Sequence, residues 1–176
     1  MRKMRDFNLL VSTMRGFENA VCTEMRFLLG EIGDKEPVVN RTGVSGLIAA
    51  KTALNPLDAI KRLRIILEER PYEFRYALRI IPVESVVRTE KEEIQETVAE
   101  LSPKIDENET FRITVEKRFT TLHSRELIEV VAASIKRKVD LNNPDKIVLI
   151  EIVGGLTGLS VIEPCDIISV QKEKIL

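Results

Sequence analysis

The sequence predicts an α/β fold of the α+β kind, built in two parts. Two observations carry this. Residues 1–85 read strand, helix, strand, strand, helix, strand, which is the order of the ferredoxin-like arrangement. The stretch from Thr110 to Val161 reads strand, basic loop, helix, strand, strand, which is one half of an α/β sandwich. The expected parts are therefore a ferredoxin-like subdomain over 1–85 and an α/β sandwich over 86–176.

The first part opens on a short apolar run, Asn8 to Ser12, that reads as a strand. A helix is expected from about Phe17 to Leu29, with Phe17, Val21, Met25 and Leu28 on one side and Gly30 placed to end it. Runs at 37–40 and 47–51 flank Gly43 and Gly46 and read as a hairpin. Asn55 can cap the next helix, and Pro56 at its first position loses no hydrogen bond. Leu57, Ile60, Leu63 and Leu67 give that helix its apolar stripe, and Pro71 stops it near Arg70. Phe74 to Val83 reads as an edge strand, because Pro82 cannot donate to a ladder.

The second part starts with an acidic helix from Thr89 to Leu101, capped by Thr89 and ended by Pro103. Phe111, Ile113 and Val115 alternate as a strand that ends in Lys117 and Arg118. A polar loop carries His123, the only histidine. A helix follows from about Arg125 to Val139, with Leu127, Val131 and Ile135 as its buried row. After Asn142-Asn143-Pro144-Asp145, residues 146–153 are almost wholly apolar, as in a strand covered on both faces. A turn over 154–158 leads to a partner strand at Leu159 to Ile162. Ile167 to Val170 is expected to extend the same sheet.

Composition bounds the function. The chain has 176 residues, 44% apolar and 31% charged, with a net charge of −1. It is not a polycation, so any nucleic-acid binding must come from segregated charge. Residues 90–109 hold eight acids against two bases, and residues 110–140 hold seven bases against four acids, a local balance of −6 beside +3. Both stretches also fit solvated faces without a ligand. Cys22 and Cys165 are far apart, which suits a reduced, cytoplasmic protein. No apolar run reaches the roughly 20 residues that a membrane helix needs.

Catalytic constellations are not apparent. There is no phosphate-binding GxxxxGK[ST] loop and no GxGxxG after a strand. One histidine and two distant cysteines supply zinc or nucleophilic chemistry poorly. No cofactor and no metal are expected. What remains is Lys117, Arg118, Arg125, Lys136, Arg137 and Lys138, with hydrogen-bonding groups at Thr120, Thr121, His123 and Ser124. Cations, hydroxyls and helix N-terminal amides are the groups that phosphate contacts use. The helix dipole explains Lys136 to Lys138 without any ligand. With no tryptophan and two tyrosines, base stacking on a sheet is not indicated, and recognition of RNA by backbone and shape is the expectation.

Four segments, FRITVEKR, SRELIEVVAASI, VDLNNPDKIVLIEI and LSVI, resemble the THUMP domain, an RNA-binding module of tRNA-modification systems. The similarity covers at least residues 58–163. RYALRIIPVESVV and VDLNNPDKIVLIEIVGGLTGLSVIEPCDI are most similar to the stand-alone THUMP adaptor of tRNA cytidine acetylation. The resemblance implies a non-catalytic adaptor that binds the acceptor end of tRNA and presents it to a separate acetyltransferase for 4-acetylcytidine formation. No catalytic module is expected after Leu176. DNA and membranes are not expected partners. Lys117, Arg118 and Arg125 match the family's basic strand-to-helix segment, with His123 and Ser124 in the same loop. Arg15 and Arg41, at turns of the first part, are further candidates for RNA contact. Two alternatives stand beside this reading: an RNA-modification enzyme in its own right, and a protein-interaction module that uses the acidic helix 89–101.

Overall fold

The computed structural model describes residues 5–174, which fall into two compact units. One runs up to Val83 and takes in the stretch from Cys165; the other is Glu84–Pro164. The fold is the mixed α/β class expected.

The first unit begins with β1 (Leu9–Ser12), α1 (Glu18–Glu31), β2 (Val38–Arg41), β3 (Leu47–Lys51), α2 (Pro56–Glu69) and β4 (Arg79–Pro82). Adjacent pairings put β1 between β3 and β4, with β2 outside β3, all antiparallel. Alternate residues Leu9 and Val11, Ile48 and Ala50, and Ile80 join Val21, Met25, Leu28, Ile60, Leu63 and Leu67 from the helices in one core. Asn55 caps α2 as its sequence implies, accepting from the amides of Leu57 and Asp58.

The second unit contains β5 (Ser85–Arg88), α3 (Lys91–Leu101), β6 (Thr110–Glu116), α4 (Ser124–Ala133), β7 (Lys138–Val139), β8 (Lys146–Val153) and β9 (Leu156–Ile162). Its sheet order is β5-β9-β8-β6-β7. The β6–β8 and β6–β7 pairs are parallel; the β8–β9 and β5–β9 pairs are antiparallel. Ile94 and Val98 of α3 and Leu127 and Val131 of α4 pack with Phe111, Val148, Ile150, Ile152, Leu159 and Val161. The chain then returns to the first unit through β10 (Ile168–Ser169), which pairs with β4, and ends its described part in α5 (Val170–Lys174).

Several element expectations are corrected. The strand expected over 74–83 shrinks to β4, because the amides of Arg75, Tyr76 and Ala77 all donate to the Glu24 carboxylate of α1 and leave nothing for a ladder. Nor is β4 an edge: Ile168 and Ser169 pair with Ile80 and Arg79, and Pro82 lies beyond that short pairing. Gly30 does not end α1. The stop falls at Gly33, where φ is +110° and the amide donates to the Gly30 carbonyl. Ile168–Ser169 joins the first sheet, not the second. β5 was not foreseen as a strand, and the β8–β9 turn is tighter than expected, with Gly154-Gly155 alone as its central pair and a positive φ at Gly154.

Two glycine substitutions should move stability in opposite directions. At Gly46, φ is +74° and an added Cβ would lie 2.8 Å from the Thr13 carbonyl oxygen. Gly46→Ala should lose on the order of 1–3 kcal/mol in urea unfolding. Gly30 is helical with open space around its Cα. Gly30→Ala should gain about 0.5–1 kcal/mol in the same measurement.

Candidate functional site

Parallel pairing of β6 with β8 places the carboxyl ends of both strands at one rim of the second sheet. In open α/β sheets such rims, with helices starting beside them, are where ligands bind. Here the rim consists of residues 117–123, the β8–β9 turn and the β5–α3 junction. Their backbones are tied together. Gly154 donates its amide to the Arg118 carbonyl at 2.8 Å. Thr89 donates its amide to the Gly155 carbonyl at 2.9 Å and its hydroxyl to the Gly154 carbonyl at 2.8 Å. The expected capping role of Thr89 is therefore corrected: its side chain holds the hairpin turn, and Glu90 occupies the cap position of α3 without a side-chain cap bond. The glycines of this turn hold structure through these bonds.

Lys117, Arg118, His123, Ser124 and Arg125 come together in one connection from the end of β6 to the start of α4. They are not equivalent. Lys117 is exposed, and its Nζ donates to the Leu122 carbonyl at 3.2 Å. Arg118 turns inward. Its Nη1 lies 2.8 Å from Oε2 of Glu151, whose side chain is 1% exposed against 20% for the arginine. Ile150 and Ile152 pack towards the helices, so Glu151 between them lies on the opposite sheet face, where Arg118 meets it. His123 is exposed and sits at the N-cap of α4, with extended φ and ψ and no capping bond from its side chain. Ser124 opens the helix. Arg125 is 94% exposed and reaches Glu129, one helical turn on, at 3.4 Å. Such an exposed pair contributes little and leaves the guanidinium available.

Between these cations lies a residue the sequence reading passed over. Phe119 is 77% exposed and holds φ at +56°. Its signal was present in the sequence, as one large apolar residue inside a polar loop. The α3 side of the rim adds two more cations that were also missed. Arg88 bonds Glu93 through Nη2 at 2.6 Å, and Lys91 bonds Glu126 of α4 at 2.9 Å. The Lys91 bond holds the Glu126 carboxyl below its ordinary range, and Glu126 raises the Lys91 ammonium in turn. Lys91 thereby offsets an acid at the start of α4, beside the basic loop.

Lys136, Arg137 and Lys138 are elsewhere. The expected helix to Val139 ends at Ala133, where the Ser134 hydroxyl and amide both turn back to the Val131 carbonyl. Lys138 and Val139 pair with Thr110 and Phe111 at the amino end of β6. The three bases thus lie off the helix, past the end of α4 that is about 15 Å from its start. The helix-dipole explanation for them lapses. Arg137 is engaged with backbone, donating to the carbonyls of Ile105, Asp106 and Lys136. Lys136 and Arg137 line a groove of about 310 Å³ with Ser102, Pro103, Ser134 and Ile135.

Arg15 is exposed at a turn of the first unit; Arg41 is exposed too, but as the last residue of β2, paired with Ile48, and not in the turn expected for it. The turns at Gly16 and Gly46 are organised by Glu18, which accepts from the amides of Gly16 at 2.8 Å and Gly46 at 3.3 Å. Backbone bonds, from its own amide first and then from Gly46, hold the Glu18 carboxyl below its ordinary 4.5. On the acidic helix, Glu92, Glu96 and Glu100 are exposed. Among the described residues no group of His, Cys, Asp and Glu could hold a metal ion, and no helix is long and apolar enough to cross a membrane.

Known proteins place this second unit. Residues 88–162 match the family model of the THUMP domain, so a THUMP domain is present here. The chain is 25% identical over 157 residues to the uncharacterised protein MJ0421 of Methanocaldococcus jannaschii, covering 86% of this chain and 40% of that protein. The fold is shared with PH1313 of Pyrococcus horikoshii (TM-score 0.65, 23% identity, 88% of this chain, 54% of that one). It is shared also with TrmN of Thermus thermophilus (0.56, 16%, 87% and 44%). A 4-thiouridine synthetase solved as an RNA complex with bound ATP has it too (0.53, 16%, 90% and 42%). The chain spans about half of these relatives or less.

Two outcomes follow from the geometry. Arg118→Ala removes a cation from a buried carboxylate and should lower stability by on the order of 3 kcal/mol, while Arg118→Ala with Glu151→Leu recovers much of the loss in denaturant titration. Because the folded Glu18 carboxyl has the lower pKa, its contribution is present above the unfolded pKa and is lost as pH falls through the folded one. The difference in melting temperature between wild type and Glu18→Gln should therefore be largest near neutral pH and shrink below about pH 4.

Proposed function

We propose that this chain binds tRNA and serves tRNA modification. The observation that carries the reading is the coincidence of two things in residues 88–162: the THUMP domain, and an exposed basic loop at the N-terminus of a helix on the strand-end rim of its sheet. In this reading Lys117 and Arg125 supply exposed cations to phosphates, His123 and Ser124 supply hydrogen bonds, and the first amides of α4, which no side chain caps, serve as anion donors. Arg118 acts from beneath, by fixing the end of β6. The RNA complex of the 4-thiouridine synthetase, a protein of the same fold, supports an RNA ligand.

Within this reading the chain is a non-catalytic adaptor. It holds tRNA by the acceptor end while a separate acetyltransferase forms 4-acetylcytidine. The support is the likeness of residues 75–87 and 139–167 to the stand-alone adaptor of that reaction. Lys136 and Lys138, past the far end of α4, and Arg15 and Arg41, on the first unit, are exposed cations that remain further candidates for RNA contact. A second reading rests on the share of its relatives that the chain covers, from 40% to 54%. There the protein is an RNA-modification enzyme in its own right, and the second unit holds the RNA on which it acts.

Filter binding of tRNA across a salt series tests the core of the proposal. Affinity should fall with rising salt, and Lys117→Ala with Arg125→Ala should weaken binding roughly tenfold and lower the salt slope by about two, with unchanged melting temperature. Absent or salt-insensitive binding would overturn it. Nuclease-treated co-purification from native lysate separates the two finer readings: a directly bound acetyltransferase supports the adaptor, and modification of tRNA by the purified protein supports the enzyme.

A further inference from the structure

We infer that Phe119 is a stacking platform for an unpaired base, so the site takes a single-stranded nucleotide beside the phosphates it holds. The inference rests on the tRNA-binding reading and sharpens what that site recognises.

The first ground is conformational. Phe119 is the one described non-glycine residue with positive φ, at +56°. A bulky L-residue there is disfavoured, because Cβ crowds the backbone. Glycine would relieve that strain. The backbone on either side is held: the Arg118 carbonyl accepts from Gly154, the Arg118 side chain is locked on Glu151, and the Thr120 hydroxyl accepts from the Leu122 amide. Fixed flanks therefore hold an aromatic ring at a backbone angle suited to glycine.

The second ground is exposure. A phenylalanine that paid for its backbone by packing inward would be buried, as Phe111 and Phe74 are at 1%. Phe119 is 77% exposed, so its ring contributes little to the core. Scattered exposed apolar residues are ordinary. An exposed ring at a constrained left-handed angle, between Arg118 and Thr120 and two residues from Lys117, is not the same case.

The third ground is the chemistry of the neighbours. Lys117, His123 and Arg125 lie in the same connection and present cation and donor groups to solvent. Backbone-tracking cations combined with an aromatic face are the recurring means of holding unpaired nucleotides, since every base has a π-face. Duplex RNA keeps its bases stacked inside and gives such a ring nothing to cover. The occupant is thus an unpaired base at a strand end or in a loop.

The test compares a blunt RNA duplex with the same duplex carrying an unpaired 3′ overhang, on wild type, Phe119→Ala, Phe119→Tyr and Lys117→Ala. Wild type should prefer the overhang by roughly tenfold. Phe119→Ala should erase that preference and leave blunt-duplex affinity unchanged, and Phe119→Tyr should retain it. Lys117→Ala should weaken both RNAs alike. Melting temperature of each variant confirms folding; if Phe119→Ala fails to fold, Phe119→Gly, which suits the backbone angle, takes its place. An overhang preference that survives in Phe119→Ala would overturn the inference and leave the tRNA reading standing. Failure of wild type to bind either RNA would overturn both.

Discussion

Parallel pairing of β6 with β8 is the constraint on which the second unit depends. Two parallel neighbours cannot be joined by a tight turn, so the chain must leave β6, cross a face of the sheet and return. The crossing is α4, and the departure is the connection at 117–123. That connection is obliged to sit at the carboxyl end of β6, beside the β8–β9 turn and next to the positive end of a helix. The basic residues have the place they have because of strand direction. Arg118 and Glu151 then fasten the departure point to the middle of the sheet.

The unit divides its cations by task. Arg118 is an anchor: one nitrogen on a buried carboxylate, its carbonyl on the neighbouring turn. Arg137 is another, bonded to three carbonyls near the opposite end of α4. Lys117 and Arg125 are exposed and weakly held, as the proposed exchange of water and counterions for phosphate would require. Lys91 works at one remove, by offsetting Glu126. A local balance of +3 is thus a poor count of what a ligand meets, since part of the charge is already committed inside the fold.

How far the sequence speaks depends on whether the deciding partner is local. The Asn55-Pro56 cap, the alternation in β6 and the apolar run of β8 are local, and each was legible. The ends of β4 and α4 were not. Tyr76 and its neighbours look extended, but a carboxylate some fifty residues earlier takes their amides. Lys136 to Lys138 look like a helical terminus, yet a strand far upstream claims Lys138 and Val139. In the candidate site the basic residues were readable as types, and their commitments were not. Phe119 shows the converse, since its residue type was visible but its backbone angle is a product of the folded rim.

The return of the chain through β10 has a consequence for how the molecule assembles. Residues 84–164 form an insertion within the first unit, whose sheet is completed only after they have been traversed. For an unfolded insert, bringing Ile168 to Ile80 closes a long loop, with an entropic cost that grows as the logarithm of its length. Glu84 changes that cost. Its amide and carboxylate bind the Leu159 carbonyl, the Ser160 hydroxyl and the Val161 amide, so the entrance and exit of the folded insert lie side by side. A folded insert thus acts as a short tether where an unfolded one is a long loop. The last strand of the first unit is therefore expected to join at a lower entropic cost once residues 84–164 have folded.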